Sequence, residues 1–287
     1  LRADVRPMPE AEVRETLEKE YGKKVGEVFD QFDGHSLGSA SIAQVHRARL
    51  KSGEQVVVKV ERPGIFRMME QDVSLLRKVS GLLRIIGGTG DAIDFNLVIN
   101  EMWVTAQQEM DFLHEAEQAE RFRLSNSGIA YIAVPRVYHP YSTSKVLVME
   151  DMNGISIDDV DALAHQGYDL TEIGTKLAEN YVKQIVDDGF FHADPHPGNL
   201  LIRGGKIVWL DMGMMGTLSP RDRHLLNDVM KAVACGNVND VKDSFLAVMK
   251  HTGPVDHARL YAEIDDLLNK YGTFDVGGLC WNCGTIS

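Results

Sequence analysis

Two adjacent stretches alternate apolar and polar positions, SIAQVHRARL at 41–50 and EQVVVKVERPG at 54–64, with KSGE (51–54) between them. A period of two around a short turn predicts a β-hairpin, and Pro63-Gly64 ends its second strand. Other stretches space their apolar positions three to four apart. Residues 9–30 (PEAEVRETLEKEYGKKVGEVFD) predict a helix with Pro9 near its start. Residues 65–85 and 95–125 predict two long helices, separated by the loop GGTGD at 87–91. VPRVYHP (134–140) and TSKVLVMEDM (143–152) predict two short strands. DLTEIGTKLAENYVKQIVDDG (169–189) is strongly amphipathic, with Gly189 placed as its C-cap. NLLIRGGKIVWLD (199–211) predicts a strand pair, and helices are expected from Ser219 to the end.

Strands with inserted helices thus dominate the first half, and helices the second. The expected fold class is α+β with two lobes, residues 1–152 and 153–287.

Composition narrows the function. The 287 residues are 44% hydrophobic and 25% charged, ordinary for a globular chain with a real core. Thirty basic against 42 acidic residues give a net charge of −12. That excludes a broad electrostatic footprint for nucleic acid but leaves room for a local basic pocket. Three cysteines make no disulfide framework. Cys280 and Cys283 form a lone C-x-x-C without the second pair a zinc site needs, and are expected to be incidental thiols. No apolar run approaches the ~20 residues of a membrane span. The chain starts at Leu1 rather than Met and stops at GGLCWNCGTIS without an evident cap, so sequence is expected to be missing at both ends.

The chemistry concentrates in HADPHPGN (192–199) and WLDMG (209–213). His192, Asp194 and Asn199 have the H-x-D-x-x-x-x-N spacing of a kinase catalytic loop, and Asp211-Met212-Gly213 stands as D-x-G after a strand pair. Phosphoryl transfer from ATP needs an acid to orient or deprotonate the attacking group, and hard oxygen ligands for Mg²⁺. It also needs a strand lysine, and Lys59 lies inside an apolar run where it is costly unless paired. QQEMDFLHEAEQAERF (107–122) offers Glu109, Asp111 and Glu115 as partners. On one continuous helix the three cannot share a stripe; Glu115 is the better partner and Glu109 the next, with a solvated acidic face as the plain alternative. Gly38, Ser39, Ala40 and Ser41 are small enough to bring backbone N–H groups against phosphate, although they form no G-x-G-x-x-G.

GSASIAQVHRARL, VVVKVERPG, EMDFLHEA, FFHADPHPGNLL and WLDMG together resemble the UbiB family of atypical protein-kinase-like proteins, also called the coenzyme Q kinase, ADCK or AarF-type family. They run in family order from about residue 36 to 213. The resemblance implies a protein-kinase-like fold, with ATP or ADP and Mg²⁺ as cofactors. It places the nucleotide loop at Gly38–Ser41, the phosphate lysine at Lys59 and the E-x-D acids at Glu109 and Asp111. The pairing glutamate falls on Glu115, the catalytic acid on Asp194, and the metal ligands on Asn199 and Asp211. It places adenine against VLVME, with backbone groups near Glu150 and Met152. It implies a role in isoprenoid (ubiquinone-type) quinone biosynthesis, with a quinone-precursor lipid or quinone-biosynthesis proteins as partners, in the cytoplasm or peripheral at the inner or cytoplasmic membrane. Two further readings stay open: a non-catalytic nucleotide switch or scaffold, and a small-molecule phosphotransferase.

Three features depart from the family pattern. Gly38 stands where many relatives carry Ala. The family's N-terminal K-x-G-Q segment and its C-terminal membrane-spanning tail are not in this sequence. His196 also stands where protein kinases acting on Ser or Thr carry Lys, so the expected acceptor is water, a lipid or a small molecule. His titrates near neutrality and is a weaker fixed countercharge than Lys.

Overall fold

The computed structural model describes residues 6–87, 95–248 and 255–271. Cys280 and Cys283, most of the 87–91 loop and the extreme C-terminus lie outside the described residues.

The expected helix over 9–30 is cut short. Helix α1 (Glu10–Tyr21) ends at Gly22, whose φ of 63° is the left-handed conformation that glycine adopts without strain. A single turn, α2 (Val25–Val28), follows, and then an 11-residue strand, β1 (Phe29–Ser39). β1 escapes the sequence pattern because its pairing with the next strand shifts register three times, as at a bulge. Each shift breaks the period of two. The predicted hairpin forms as β2 (Ala43–Leu50) and β3 (Gln55–Glu61), in continuous antiparallel register from Ala43↔Glu61 to Arg49↔Gln55.

Helix α3 (Ile65–Gly87) follows. The single helix expected over 95–125 is two, α4 (Phe95–Glu109) and α5 (Phe112–Ser125). No Pro or Gly marks the break. The Asp111 side chain caps α5 by accepting from Leu113 N–H (3.1 Å), and Phe112 N–H is given to Ser144 O (3.1 Å) instead of to the helix. VPRVYHP is not a strand. Strand β4 (Ile132–Ala133) precedes it, and Val137 alone bridges Met149, consistent with Pro135 lacking a ladder donor. β5 (Val146–Glu150), β6 (Ile155–Ser156), α6 (Val160–His165) and α7 (Leu170–Lys183) come next. The chain then passes through a π-turn to Gly189, the expected left-handed cap (φ 62°). After β7 (Phe190–His192), the predicted strand pair appears as β8 (Leu200–Arg203) and β9 (Lys206–Trp209).

The chain forms two compact units, Leu1–Ala178 with His192–Met215, and Glu179–Phe191 with Gly216–Ser287. The first holds two four-stranded sheets, ordered β1-β2-β3-β5 and β4-β9-β8-β6. On the first sheet, Val56, Val58, Val60, Val146 and Val148 join Val13 and Leu17 of α1 in one buried core. Lys59 alternates with these valines, so its side chain leaves by the opposite face. The second unit packs Ala232 of α8 (Pro220–Ala234), Val238 and Val241 of α9 (Val238–Val248) and Ile264 of α10 (His257–Tyr271) into a small core of its own.

One buried polar chain ties the first unit's edge. Met8 N–H donates to Gln44 Oε1 (2.6 Å), the Gln44 amide nitrogen meets His46 Nε2 (3.0 Å), and His46 Nδ1 donates to Asp33 O (2.9 Å). With Gln44 donating, Nε2 is an acceptor and the ring is neutral. Burial pushes the imidazole below its ordinary 6.5. A histidine depressed in the fold contributes stability that is complete above its unfolded value and is lost as pH falls from 6.5 toward the folded value. Urea unfolding between pH 7.5 and 5 is therefore expected to show a smaller stability loss in His46→Gln than in the wild type. Parallel pH profiles would contradict the assignment.

Candidate active site

Lys59, Glu115 and Asp211 meet on one side of the first sheet. Lys59 Nζ lies 2.8 and 3.0 Å from the two Glu115 oxygens and 3.2 Å from Asp211 Oδ2, with the Phe112 ring 5.3 Å away. The Lys59 and Glu115 side chains are 15% and 3% exposed, whereas Asp211 is 44% exposed. The lysine is thus clamped from inside by a buried acid and touches a second acid that still faces solvent. Burial would push Lys59 down, but Asp211 and Glu115 outweigh it and hold the ammonium above the usual lysine value. Burial pushes the Glu115 carboxyl up to about 7. Asp211 goes the other way: burial would raise it, but the Lys59 charge and the Gly213 N–H (2.9 Å from Oδ1) hold it at about 2. One ammonium between two acids has split them, leaving Asp211 firmly ionised.

The break between α4 and α5 shapes this cluster. Glu109 ends α4 and Glu115 sits in the first turn of α5, so a stripe rule for one continuous helix does not apply to them. Glu109 is half-buried, and burial and the Asp211 charge push its carboxyl up against the opposing pull of Lys59. Asp111 serves as the α5 cap and is exposed.

HADPHPGN is organised by its two histidines. His192 is buried and packs on Trp209 (ring centroids 5.1 Å). Its Nε2 bonds the Asp211 carbonyl, and its Nδ1 accepts from Asp194 N–H (3.2 Å). Burial pushes this imidazole down, so it sits neutral as a strut between the backbones of Asp194 and Asp211. His196 Nδ1 accepts from Gly198 N–H (3.0 Å), turning Nε2 toward Asp194 Oδ2, 3.7 Å away. A Cβ on Gly198 would stand 2.7 Å from that ring, so a larger residue there would push the His196 side chain aside. Asn199 Nδ2 donates to Asp194 O (3.3 Å), which leaves its amide oxygen as the donor atom for a cation.

The remaining expected residues take varied places. Gly38 and Ser39 end β1, and Ala40 and Ser41 form the turn into β2. Gly38 has no positive φ and open space at its Cβ, so glycine is not required there. Glu150 N–H is spent on Arg136 O (2.9 Å) and Asp151 N–H on Gln55 O (3.2 Å), which makes Met152 the next backbone group along the segment. Arg47 fixes this segment through Asp151 (3.0 Å) and Asn153 (2.8 Å), and Arg203 reaches Met152 Sδ (3.7 Å). Sequence reasoning missed these arginines because each sits on a strand surface or strand end, where arginine is unremarkable.

The residues fit Mg²⁺. Asp211 offers an ionised, half-exposed carboxylate and Asn199 an amide oxygen, both hard donors. Among the described residues no preformed group of three His, Cys, Asp or Glu could hold a metal. Mg²⁺ does not ask for one, since it takes one or two carboxylates and fills its octahedron with phosphate and water. No helix among the described residues is long and apolar enough to cross a membrane.

A family model described as the ABC1 atypical kinase-like domain matches residues 1–245. The chloroplastic protein ACTIVITY OF BC1 COMPLEX KINASE 8 of Arabidopsis thaliana is 38% identical over 81% of this chain and 31% of its own length. Probable protein kinase UbiB of Marinobacter nauticus is 37% identical over 77% of this chain and 42% of its own length. The chain therefore spans less than half of either relative. Among solved structures, the erythromycin complex of Rv3197 from Mycobacterium tuberculosis superposes with a TM-score of 0.74 at 25% identity, covering 93% of this chain and 66% of that one.

Proposed function

The chain belongs to the ABC1 atypical kinase-like family and has its kinase-like α+β fold; from that premise we propose that it binds ATP with Mg²⁺ and acts as an atypical kinase or ATPase of the UbiB type. The observation that carries this reading is the contact of Lys59 with both buried Glu115 and ionised Asp211, beside the loop of Asp194 and Asn199. Lys59 grips the phosphates and Glu115 aims it. Asp194 orients or deprotonates the attacking group. Asn199 and Asp211 would hold Mg²⁺, which when bound neutralises charge on the phosphate oxygens. The Gly38–Ser41 loop covers the phosphates, and adenine lies against Glu150–Met152. Residues 1–152 are the nucleotide-gripping lobe in this reading, and 153–287 the catalytic one.

The similarity to relatives named UbiB favours a place in isoprenoid quinone biosynthesis. A quinone-precursor lipid or quinone-biosynthesis proteins as partners, and a cytoplasmic or membrane-peripheral location, belong to the same proposal. His196 favours an acceptor other than a protein Ser or Thr. A lysine there would offer a fixed positive charge beside Asp194, whereas His196 Nδ1 is occupied by Gly198 N–H. The fold-sharing relative in complex with erythromycin supports testing small molecules as acceptors.

Asp211→Asn tests the metal assignment. It keeps the shape and removes the charge that faces the cation. Mg–ATP is expected to raise the melting temperature of the wild type and leave that of Asp211→Asn unmoved. An equal rise in both would remove Asp211 from the site.

A further inference from the structure

Strand β3 carries Lys59 and is followed directly by Arg62. The Arg62 guanidinium turns back over the small-residue loop. Its Nε donates to Ala40 O (2.8 Å), and one terminal nitrogen donates to Ser39 Oγ (2.5 Å) and to Arg6 O (3.2 Å). Its own backbone N–H donates to Ile42 O (2.8 Å), and within the loop Ala40 N–H donates to Ala43 O (2.8 Å). One residue therefore holds Ser39, Ala40 and Ile42, and the segment leading into α1 leans on the same group.

We propose that Arg62 is the positioning residue that shapes the Gly38–Ser41 loop for nucleotide phosphates. The inference rests on the nucleotide reading above and adds what sets the loop's geometry. Glycine does not set it, because Gly38 has no positive φ. A fork of donors across two adjacent residues fixes both the distance and the direction of the loop, which a lysine's point charge cannot do. Among the described residues the guanidinium bonds carbonyls and a hydroxyl and pairs with no carboxylate. With no carboxylate in ion-pair contact, its charge adds to the field of a loop that in this reading faces anionic phosphate, and that field favours the anion. Lys59 and Arg62 are three residues apart on one stretch, so the group that grips phosphate and the group that shapes its cover move together.

The test compares nucleotides with and without phosphate. Equilibrium binding of Mg–ATP, Mg–ADP and adenosine is measured for the wild type, Arg62→Ala, Arg62→Lys and Ser39→Ala. Arg62→Ala is expected to weaken Mg–ATP and Mg–ADP about ten-fold, as loss of charge-assisted hydrogen bonds would, and to leave adenosine unchanged. Arg62→Lys should recover only part, and Ser39→Ala should fall between Arg62→Ala and the wild type. If Arg62→Ala does not fold, Arg62→Lys carries the same comparison. Equal weakening of ATP and adenosine would make Arg62 merely structural and overturn the proposal, as would wild-type affinity for ATP in the variants. Wild-type chain that binds no ATP would overturn the nucleotide reading itself, and the role of Arg62 with it.

Discussion

Lys59→Met is expected to abolish Mg–ATP binding and to lower the unfolding free energy by about 3–5 kcal/mol, the range for a buried ion pair stripped of one partner. The binding loss follows from the position of Lys59 as the cation clamped at the phosphate end of the site. The stability loss follows from Glu115, 3% exposed, whose carboxylate has no other cation in contact among the described residues. The acid can escape by taking up a proton. Burial already pushes Glu115 to about 7 with the ammonium present, and removing the ammonium pushes it further. A carboxyl raised above its ordinary 4.5 in the fold gives its proton up on unfolding, so the fold is penalised as pH rises from there through the folded value. Urea unfolding should therefore show a larger cost for Lys59→Met at pH 8 than at pH 5. Adding Glu115→Gln should return much of the loss, because the two changes share one interaction. The same cost at both pH values, unrelieved by Glu115→Gln, would mean that Glu115 and Lys59 are not energetically coupled.

Asp194→Asn should separate chemistry from binding. Removing a positioned acid–base group costs about 10²–10⁴-fold in rate, and phosphate release from ATP should fall by that amount. Mg–ATP affinity should change little. The loop is held through the backbone of Asp194, by His192 on its N–H and Asn199 on its carbonyl, and neither contact uses the side chain that changes. A variant that lost nucleotide affinity as well would place Asp194 among the binding groups rather than the reacting ones.

Some of this architecture is written plainly in the sequence. The β2–β3 hairpin follows from an uninterrupted period of two, and Gly189 from its place after an amphipathic run. The pairing of Lys59 with Glu115 is legible because a lysine inside VVVKV has to be paired and a helix acid follows it. Its contact with Asp211 is not, because Asp211 reads from the sequence as a metal ligand. Other parts are settled by contacts far apart in sequence. β1 is hidden by its own register shifts. The break at Asp111 needs the Ser144 carbonyl, 32 positions from Phe112's side of the bond, and no local residue announces it. That break also removes the premise of one continuous helix on which Glu109, Asp111 and Glu115 could not all share a stripe. Arg62 carries no pattern at all, since its partners Ser39 and Ala40 lie across the hairpin. VPRVYHP misleads in the other direction: its two valines suggest a strand, and Pro135 denies it one.

Single-turnover release of phosphate from ATP by the pure chain, with Mg²⁺ and with a chelator in its place, tests the central claim most directly. The expected result is release that requires Mg²⁺ and is lost in Asp194→Asn. Equal release by the wild type and Asp194→Asn, or release indifferent to Mg²⁺, would contradict it and leave a nucleotide-binding module without phosphoryl chemistry.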